Sequence, residues 1–311
     1  MNRTLMLLAL VACGGDKPGT DSAGTTTDKG GCPNTVLEQF PADGEADAYY
    51  LTSVDFLLAQ ANTDASVMVM DDAGAMVAGT VSHLDRRVIF TPDEPLAHGG
   101  AYTAELTWEC DAVTGSFTVG QAGTATVAGA DLAGRTWGFA ITEGRIVDPP
   151  ELADLLPLMA QFDILMTATS ADDTSIDFIG AVTDEATGEQ SLCAPHIDFP
   201  TPADYAGNPT FSVQADSMEL VVVGDSIPVT DLVLSGTFTD GGAAISGTSL
   251  SGIVELGAEL CDVLAGSGLS CEACPGGGDE CVDLVIDDMT ADERSTAVFE
   301  WSSSDFPSDC E

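Results

Sequence analysis

Cysteines carry the most specific chemistry in this 311-residue sequence, because their spacing indicates either metal binding or disulfide formation. Cys271 and Cys274 are two residues apart and Cys281 follows, a spacing that zinc-binding thiolates use. A zinc ribbon needs a second pair of this kind, which the sequence lacks. We therefore favour disulfides in this glycine-rich segment.

The chain has nine cysteines, of which Cys13 stands apart near the N-terminus. The other eight are an even number, which in an exported chain most simply forms disulfides. They are Cys32, Cys110, Cys193, Cys261, Cys271, Cys274, Cys281 and Cys310. The sequence does not determine how the last six pair.

Histidines and carboxylates show no catalytic pattern. His83, His98 and His196 lack the spacing of a metal-binding pair, and the sequence has no nucleophile elbow or phosphate-binding glycine loop. Adjacent acids occur at Asp71-Asp72, Asp172-Asp173 and Asp287-Asp288. Among 51 carboxylates such pairs arise by chance, and an aromatic-lined glycosidase cleft is not expected at 6% aromatic content. We predict no catalytic residues and no enzyme.

The acidic loops raise the question of calcium, which needs several oxygen ligands from one compact loop. No Asp-x-Asp-x-Asp-Gly pattern occurs. The candidate loops carry Asp43 and Asp47, Asp71 and Asp72, or Asp283, Asp287 and Asp288. We predict no cofactor and no metal site, with calcium as the alternative.

The charge is strongly one-sided, with 51 Asp and Glu against 8 Lys and Arg and a formal net charge of −43. Lys17 and Lys29 are the only lysines, so the chain after residue 31 has five arginines and no lysine. Nucleic-acid binding needs clustered basic residues and is excluded. Adaptation of the surface to salt and binding of divalent cations both remain open.

Residues 1–12 combine Arg3 with an apolar run too short to span a bilayer, which indicates an export signal. The signal ends in Leu10-Val11-Ala12-Cys13, which resembles the lipobox of bacterial lipoproteins. The resemblance implies that Cys13 becomes the acylated N-terminus and that the acyl chains anchor the protein to a membrane. Gly14 stands where an aspartate would signal inner-membrane retention, so we expect an outer-membrane lipoprotein facing either the periplasm or the exterior.

Residues 13–31 consist, after the cysteine, of small, polar and charged residues that cannot form a core, and they are predicted to be a flexible tether.

From residue 32 to 119, short segments in which apolar and polar residues alternate are separated by turns, which predicts an all-β sandwich. The segments begin at Thr52, Val67, Val77, Val88 and Tyr102.

This region resembles the SbsA-type bacterial Ig-like domain over residues 33–119. The matching segments are Phe40–Gly44, Val88–Pro92 and Leu96–Thr103. The resemblance implies a tyrosine corner in which the Tyr102 hydroxyl bonds to upstream backbone. It also implies a first strand parallel to the last, which would bring Cys32 close to Cys110, so we predict a disulfide between these two.

Residues 120–311 form a second region, predicted to be an acidic, disulfide-containing antiparallel sheet or partial barrel. Val229–Phe238 and Ala243–Ile253 flank Asp240-Gly241-Gly242, which predicts a hairpin. Two apolar stripes predict short covering helices, one from Pro149 to Met159 and one through Ile253, Leu256, Leu260, Val263 and Leu264. The fold class is therefore all-β with two short helices.

These features predict a lipid-anchored, non-catalytic cell-envelope protein of structural or binding type, whose partners are the membrane and an envelope protein or polysaccharide. One alternative is a hydrolase of envelope polymers acting through the second region. The other is a carrier of apolar ligands, since Gly134-x-x-Trp137 is similar to the Gly-x-Trp of lipocalins.

Overall fold

The computed structural model describes residues 34–109, 111–153, 162–206, 208–222, 225–275, 277, 280–302, 307 and 310. The predicted signal (1–12), the tether (13–31), the lipidation site Cys13 and the predicted Cys32–Cys110 disulfide lie outside the described residues. Among the described residues, no helix is both long enough and apolar enough to cross a membrane.

The chain begins with two four-stranded sheets that pack face to face, here called the sandwich. Alternation produces its core, because Tyr102, Ala104, Leu106 and Trp108 are buried along one strand while their neighbours face outward. The strands are β1 (Val36–Phe40), β2 (Glu45–Ala48), β3 (Val54–Leu58), β4 (Ser66–Asp71), β5 (Gly79–Leu84), β6 (Arg87–Pro92), β7 (Ala101–Trp108) and β8 (Asp111–Val119). The sheet orders are β1-β3-β6-β5 and β2-β8-β7-β4.

Two details expected from the Ig-like resemblance can be compared with the sandwich. The Ala97 N–H donates a 2.8 Å hydrogen bond to the Tyr102 hydroxyl, as in a tyrosine corner. The strand parallel to β8 is β2, whereas β1 pairs antiparallel with β3 in the other sheet. Pro41 lies between β1 and β2, where the chain passes from one sheet to the other.

The second region contains twelve strands in one sheet, and most of them pair antiparallel with a strand that precedes or follows them in the sequence. They are β9 (Thr136–Ala140), β10 (Arg145–Asp148), β11 (Ile164–Ala171), β12 (Ser175–Val182), β13 (Ile197–Asp198), β14 (Ala203–Asp204), β15 (Thr210–Val222), β16 (Asp225–Thr239), β17 (Ala244–Glu255), β18 (Glu272–Ala273), β19 (Glu280–Asp287) and β20 (Thr290–Arg294). The predicted hairpin between β16 and β17 is confirmed.

Eight of these strands close into a ring, here called the barrel. Its order is β17-β16-β15-β14-β12-β11-β9-β20, and β20 pairs again with β17. The last pairing is short, because β17 pairs with β20 at Ala244 and Ile245 and with β19 from Ser249 onward. The all-β class predicted from the sequence is confirmed.

Aromatic side chains occupy the inside of the barrel. Trp137 is fully buried, donates its indole N–H to the Gly242 carbonyl over 2.8 Å and lies 5.0 Å from the ring of Phe238. Phe211 stacks on Phe238 and also contacts Phe178. Trp137, the residue that suggested a lipocalin, therefore belongs to a packed core.

The second predicted covering helix is present, but its predicted start is wrong. It is α1 (Gly257–Leu264), which begins after Ile253, because Ile253 still pairs with Thr230 and Asp283 as part of β17. Val263 is 70% exposed, so the stripe that reaches the core comprises Leu256, Leu260 and Leu264. Of the first predicted helix, the described residues show a 3-10 turn at Pro150–Leu152, and the predicted residues 154–159 lie outside the described residues.

Candidate functional site

Buried ionic contacts join the sandwich to the barrel region. Arg87 of β6 has 1% of its side chain exposed and bonds through Nη1 to Oδ1 of Asp55, also 1% exposed, over 2.6 Å. Its Nε and Nη2 donate to the carbonyl oxygens of Val147 and Ile146 in β10, over 3.1 and 3.0 Å. The Arg87 guanidinium of the sandwich thus donates hydrogen bonds to two backbone carbonyls of the second region.

Arg145 of β10 completes this network from the opposite side. Its Nη1 bonds to Oδ2 of Asp55 over 2.6 Å, and its Nη2 lies 3.6 Å from Oδ2 of Asp287. The guanidinium also lies 3.9 Å from the centre of the Phe40 ring, a cation–π distance. We call these contacts the junction network. Because it is buried and involves both regions, we expect it to fix their relative orientation.

An open cleft of about 390 Å³ lies between the two regions beside this network. Eight of its fifteen lining residues carry a hydroxyl group: Tyr49, Thr52, Ser53, Thr91, Thr210, Ser235, Thr248 and Ser249. The other lining residues are Phe40, Leu51, Phe211, Gly236, Gly247, Asp287 and Asp288. We call this the hydroxyl cleft, and its volume is within the range of small-molecule sites.

Strand register explains the polar floor of the hydroxyl cleft. Ser235, Ser249 and Asp287, which line the cleft, lie directly opposite one another on β16, β17 and β19, so their side chains share one face of the sheet. Neighbouring members are about 4.8 Å apart, the spacing between strands. The Ser249 hydroxyl donates to Asp287 Oδ1 over 2.6 Å. The row is therefore a set of polar groups held at regular intervals.

Tyr49 comes from the sandwich and lies against the barrel. Its hydroxyl lies 2.5 Å from the Thr237 Oγ1, and Gly247 is adjacent to its ring. A Cβ on Gly247 would approach the ring to 2.3 Å, and the φ of +58° at this position also favours glycine. Burial is the main reason that the pKa of Tyr49 is raised, so the phenol stays neutral.

Asp288 lies at a break between β19 and β20. Its φ is +57°, its N–H donates to the Thr248 carbonyl over 2.8 Å, and the Thr248 hydroxyl donates to the Met289 carbonyl over 2.6 Å. Burial raises the pKa of Asp288; Arg145 opposes this and Asp287 adds to it. In the described part of the chain Asp288 forms no ion pair.

A second cleft of about 450 Å³ meets the first at Tyr49, Gly247 and Asp288. Carboxylates dominate its charge, because Asp47, Asp240, Asp288 and Asp292 line it. We call this the acidic cleft, and the two clefts together the groove. The described residues that line the groove include no lysine or arginine.

A third cleft, of about 680 Å³, lies beside His196 on the barrel surface. The His196 Nδ1 is 2.7 Å from the Trp301 carbonyl oxygen, and its Nε2 is 2.9 Å from Asp198 Oδ1. Burial lowers the pKa of His196, but the Trp301 carbonyl and Asp198 outweigh burial, so the pKa is raised. The ring, together with Thr167 and Gln190, thereby holds residues 298–302, the C-terminal segment, against the barrel.

The six described cysteines are paired as Cys193–Cys310, Cys261–Cys271 and Cys274–Cys281. Cys261 and Cys271, with Glu280, are also the one group of three potential metal ligands found among the described residues. Their disulfide removes both thiolates from metal binding. The pairing therefore favours the disulfide interpretation over zinc.

The acids proposed as calcium ligands have different surroundings. Asp43 Oδ1 accepts hydrogen bonds from the N–H and hydroxyl of Ser116, and Asp71 Oδ1 accepts one from the Ala75 N–H. These bonds stabilise local turns and strand ends. Asp287 and Asp288 line the groove, whereas the structure places Asp283 at a separate cleft beside Cys281.

The remaining histidines bond to backbone. His83 Nε2 lies 2.9 Å from the Ala65 carbonyl oxygen and His98 Nδ1 lies 3.3 Å from the Gly120 carbonyl oxygen.

The sequence analysis did not identify three residues of the groove, Tyr49, Ser235 and Ser249. Isolated serines and a tyrosine carry no local signal, although hydroxyl residues recur at every second position at Ser235, Thr237 and Thr239 of β16.

Comparison with known proteins identifies no family. No family model matches the chain, and no curated protein matches it. An L,D-transpeptidase from Mycobacterium smegmatis is 16% identical over 68% of this chain and 79% of that chain, with a TM-score of 0.26. An uncharacterized protein from Listeria monocytogenes, solved with glucose, magnesium and calcium, is 8% identical over 82% of this chain and 30% of that chain, with a TM-score of 0.17. Similarities at these TM-scores support no conclusion about fold or function.

Proposed function

We propose that this protein is a non-catalytic binding protein of the bacterial cell envelope, anchored by acyl chains on Cys13, with the groove as its binding surface. The observation that supports this best is the junction network. Buried contacts from Arg87 and Arg145 keep the groove walls in place before a ligand arrives, which lowers the entropic cost of binding. The Ig-like sandwich would serve as one wall of the site as well as a spacer.

The anchor is tested by mass spectrometry of the mature protein purified from the bacterial host. We expect an N-terminal Cys13 carrying acyl chains, and release of a Cys13→Ser variant from the membrane fraction. An unmodified Cys13 or cleavage at another position would discard the anchor.

The binding role is tested by sedimenting the released Cys13→Ser protein with isolated cell envelopes. Retention should fall when Ser235→Trp fills the hydroxyl cleft, because an indole ring takes up much of its volume. Val263→Trp is the control, since Val263 is exposed and does not line the groove. Equal retention of both variants would contradict the proposal.

A hydrolase of envelope polymers remains the second candidate, because Asp287 and Asp288 lie together and the pKa of Asp288 is raised. Glycoside hydrolysis places its two carboxyl groups on either side of the scissile bond. Here Asp287 and Asp288 are neighbours on one wall of the hydroxyl cleft, to which the described residues of the sandwich contribute no acid. In the groove as a whole, those residues contribute one acid, Asp47, which lines the acidic cleft together with Asp288. Release of reducing ends from envelope polysaccharide, abolished by Asp288→Asn, would establish the hydrolase instead.

A further inference from the structure

The lining of the groove restricts the charge of its ligand. Each of the five arginines after residue 31 forms an ion pair: Arg86 with Glu151, Arg87 and Arg145 with Asp55, Arg135 with Glu293, and Arg294 with Asp163. The charged side chains among the described residues that line the groove are all carboxylates. Phosphorylated compounds and acidic polymers would therefore be repelled.

The hydrogen-bonding groups restrict the ligand further. Serine and threonine hydroxyls both donate and accept, whereas an ionised Asp288 only accepts. A ligand whose groups both donate and accept, as sugar hydroxyls do, can satisfy both kinds of group. Phe40, Tyr49 and Leu51 add apolar surface on the sandwich side, suited to the C–H faces of sugar rings.

The backbone argues against an extended peptide as the ligand. Peptides that add to a sheet bind through unpaired main-chain groups at an edge strand. The floor of the hydroxyl cleft is instead the face of β15, β16, β17 and β19, whose main-chain groups pair within the sheet. Recognition on this face has to use side chains, which suits a saccharide.

We propose that the groove binds an uncharged oligosaccharide, with Ser235, Ser249 and Asp288 hydrogen-bonding its hydroxyl groups and Tyr49 forming the contact between the two clefts. This inference rests on the proposed binding function and names its ligand class. Because the two clefts share Tyr49, Gly247 and Asp288 as lining residues, a ligand that contacts both clefts has to be longer than a single sugar unit.

The test is calorimetric titration of the full-length Cys13→Ser protein with chitohexaose, cellohexaose and maltohexaose. Hexagalacturonate serves as the anionic comparison. We expect at least one neutral hexasaccharide to bind and hexagalacturonate not to bind. Asp288→Asn should weaken that binding about 10- to 100-fold, because a charged hydrogen-bond acceptor is lost. Ser249→Ala should weaken it about 3- to 10-fold, as expected for a neutral hydrogen bond.

Asp262→Asn is the matched control, because Asp262 is exposed on α1 and does not line the groove. It should bind as the parent protein does, and all variants should remain folded at the temperature of the titration. Failure of all three neutral hexasaccharides to bind, tighter binding of hexagalacturonate, or equal affinities of Asp288→Asn and Asp262→Asn would overturn the inference.

The envelope sedimentation assay separates this inference from the proposed function. If Ser235→Trp lowers retention on envelopes but no neutral hexasaccharide binds, the groove is a binding site and the saccharide class is wrong. If retention is also unchanged, both proposals fail.

Discussion

Replacing Arg87 with methionine tests whether the junction network holds the two regions together. Methionine approximates the length of the arginine stem but removes the charge and all donors. The change leaves the buried carboxylate of Asp55 with Arg145 as its remaining partner at 2.6 Å, and it leaves the carbonyls of Ile146 and Val147 without their guanidinium donors.

The magnitude follows from the burial of both partners. Removing one member of a buried ion pair costs about 3–5 kcal/mol, because the other charge stays in a medium that solvates it poorly. Because Arg145 still partners Asp55, we expect Arg87→Met to lower the free energy of unfolding by about 3 kcal/mol, the lower end of this range, which is a large part of the roughly 5–15 kcal/mol available to a folded domain.

Arg294→Met is the control for the loss of a surface ion pair. Arg294 and Asp163 are 47% and 31% exposed, so the loss should be about 0–1 kcal/mol. Urea unfolding measured by tryptophan fluorescence compares the two variants, and limited proteolysis shows whether the sandwich separates from the barrel. Equal losses for both variants, or a single transition of unchanged midpoint in Arg87→Met, would refute the reasoning.

Three further predictions concern single positions. Gly247→Ala should lower the free energy of unfolding by about 1–3 kcal/mol, because the backbone is strained and the Tyr49 ring is displaced. Gly241 also has a positive φ, +66°, but open space around it, so Gly241→Ala should lose less stability in the same thermal melts. The pKa of His196 is raised in the folded state, so its stabilisation of the C-terminal segment is complete below pH 6.5 and is lost as the pH rises through the folded-state pKa. A pH titration of tryptophan fluorescence should show this transition. His196→Gln should abolish it. Tyr102→Phe removes one hydrogen bond and should cost about 0.5–1.5 kcal/mol in urea unfolding, whereas no change would rule out a stabilising tyrosine corner.

Local patterns were sufficient to predict much of the fold. The hairpin between β16 and β17 follows from two alternating runs around Asp240-Gly241-Gly242, and the structure confirms it. The all-β class follows in the same way from alternation and turn spacing. In these cases the residues that specify the structure are close together in the sequence.

Patterns with two possible interpretations were less reliable. Ile253 and Leu256 fit a helical stripe, but Ile253 also continues the alternation of β17, and pairing with β16 and β19 decides in favour of the strand. Closure of the barrel depends on β20 pairing with β9, a contact between residues more than 130 positions apart for which no local pattern exists.

The groove could not be predicted because its walls meet only in the folded chain. Tyr49 and Thr237 are 188 residues apart in the sequence and 2.5 Å apart in the structure. Asp288 was visible as one of many acidic residues. Its place at a strand break, beside Arg145, gives it surroundings that distinguish it from the others.

The location of the arginines connects the acidity of the chain to its proposed ligand. Three of the five after residue 31, Arg86, Arg87 and Arg145, lie at the junction and bond to acidic residues there. A chain with so few cations thus uses most of them to join its two regions, and the groove beside them keeps a lining of hydroxyl and carboxylate groups. Attraction between opposite charges cannot then be the basis of binding to an anionic partner. Affinity has to come from hydrogen bonds and ring contacts, and such binding should depend little on salt concentration.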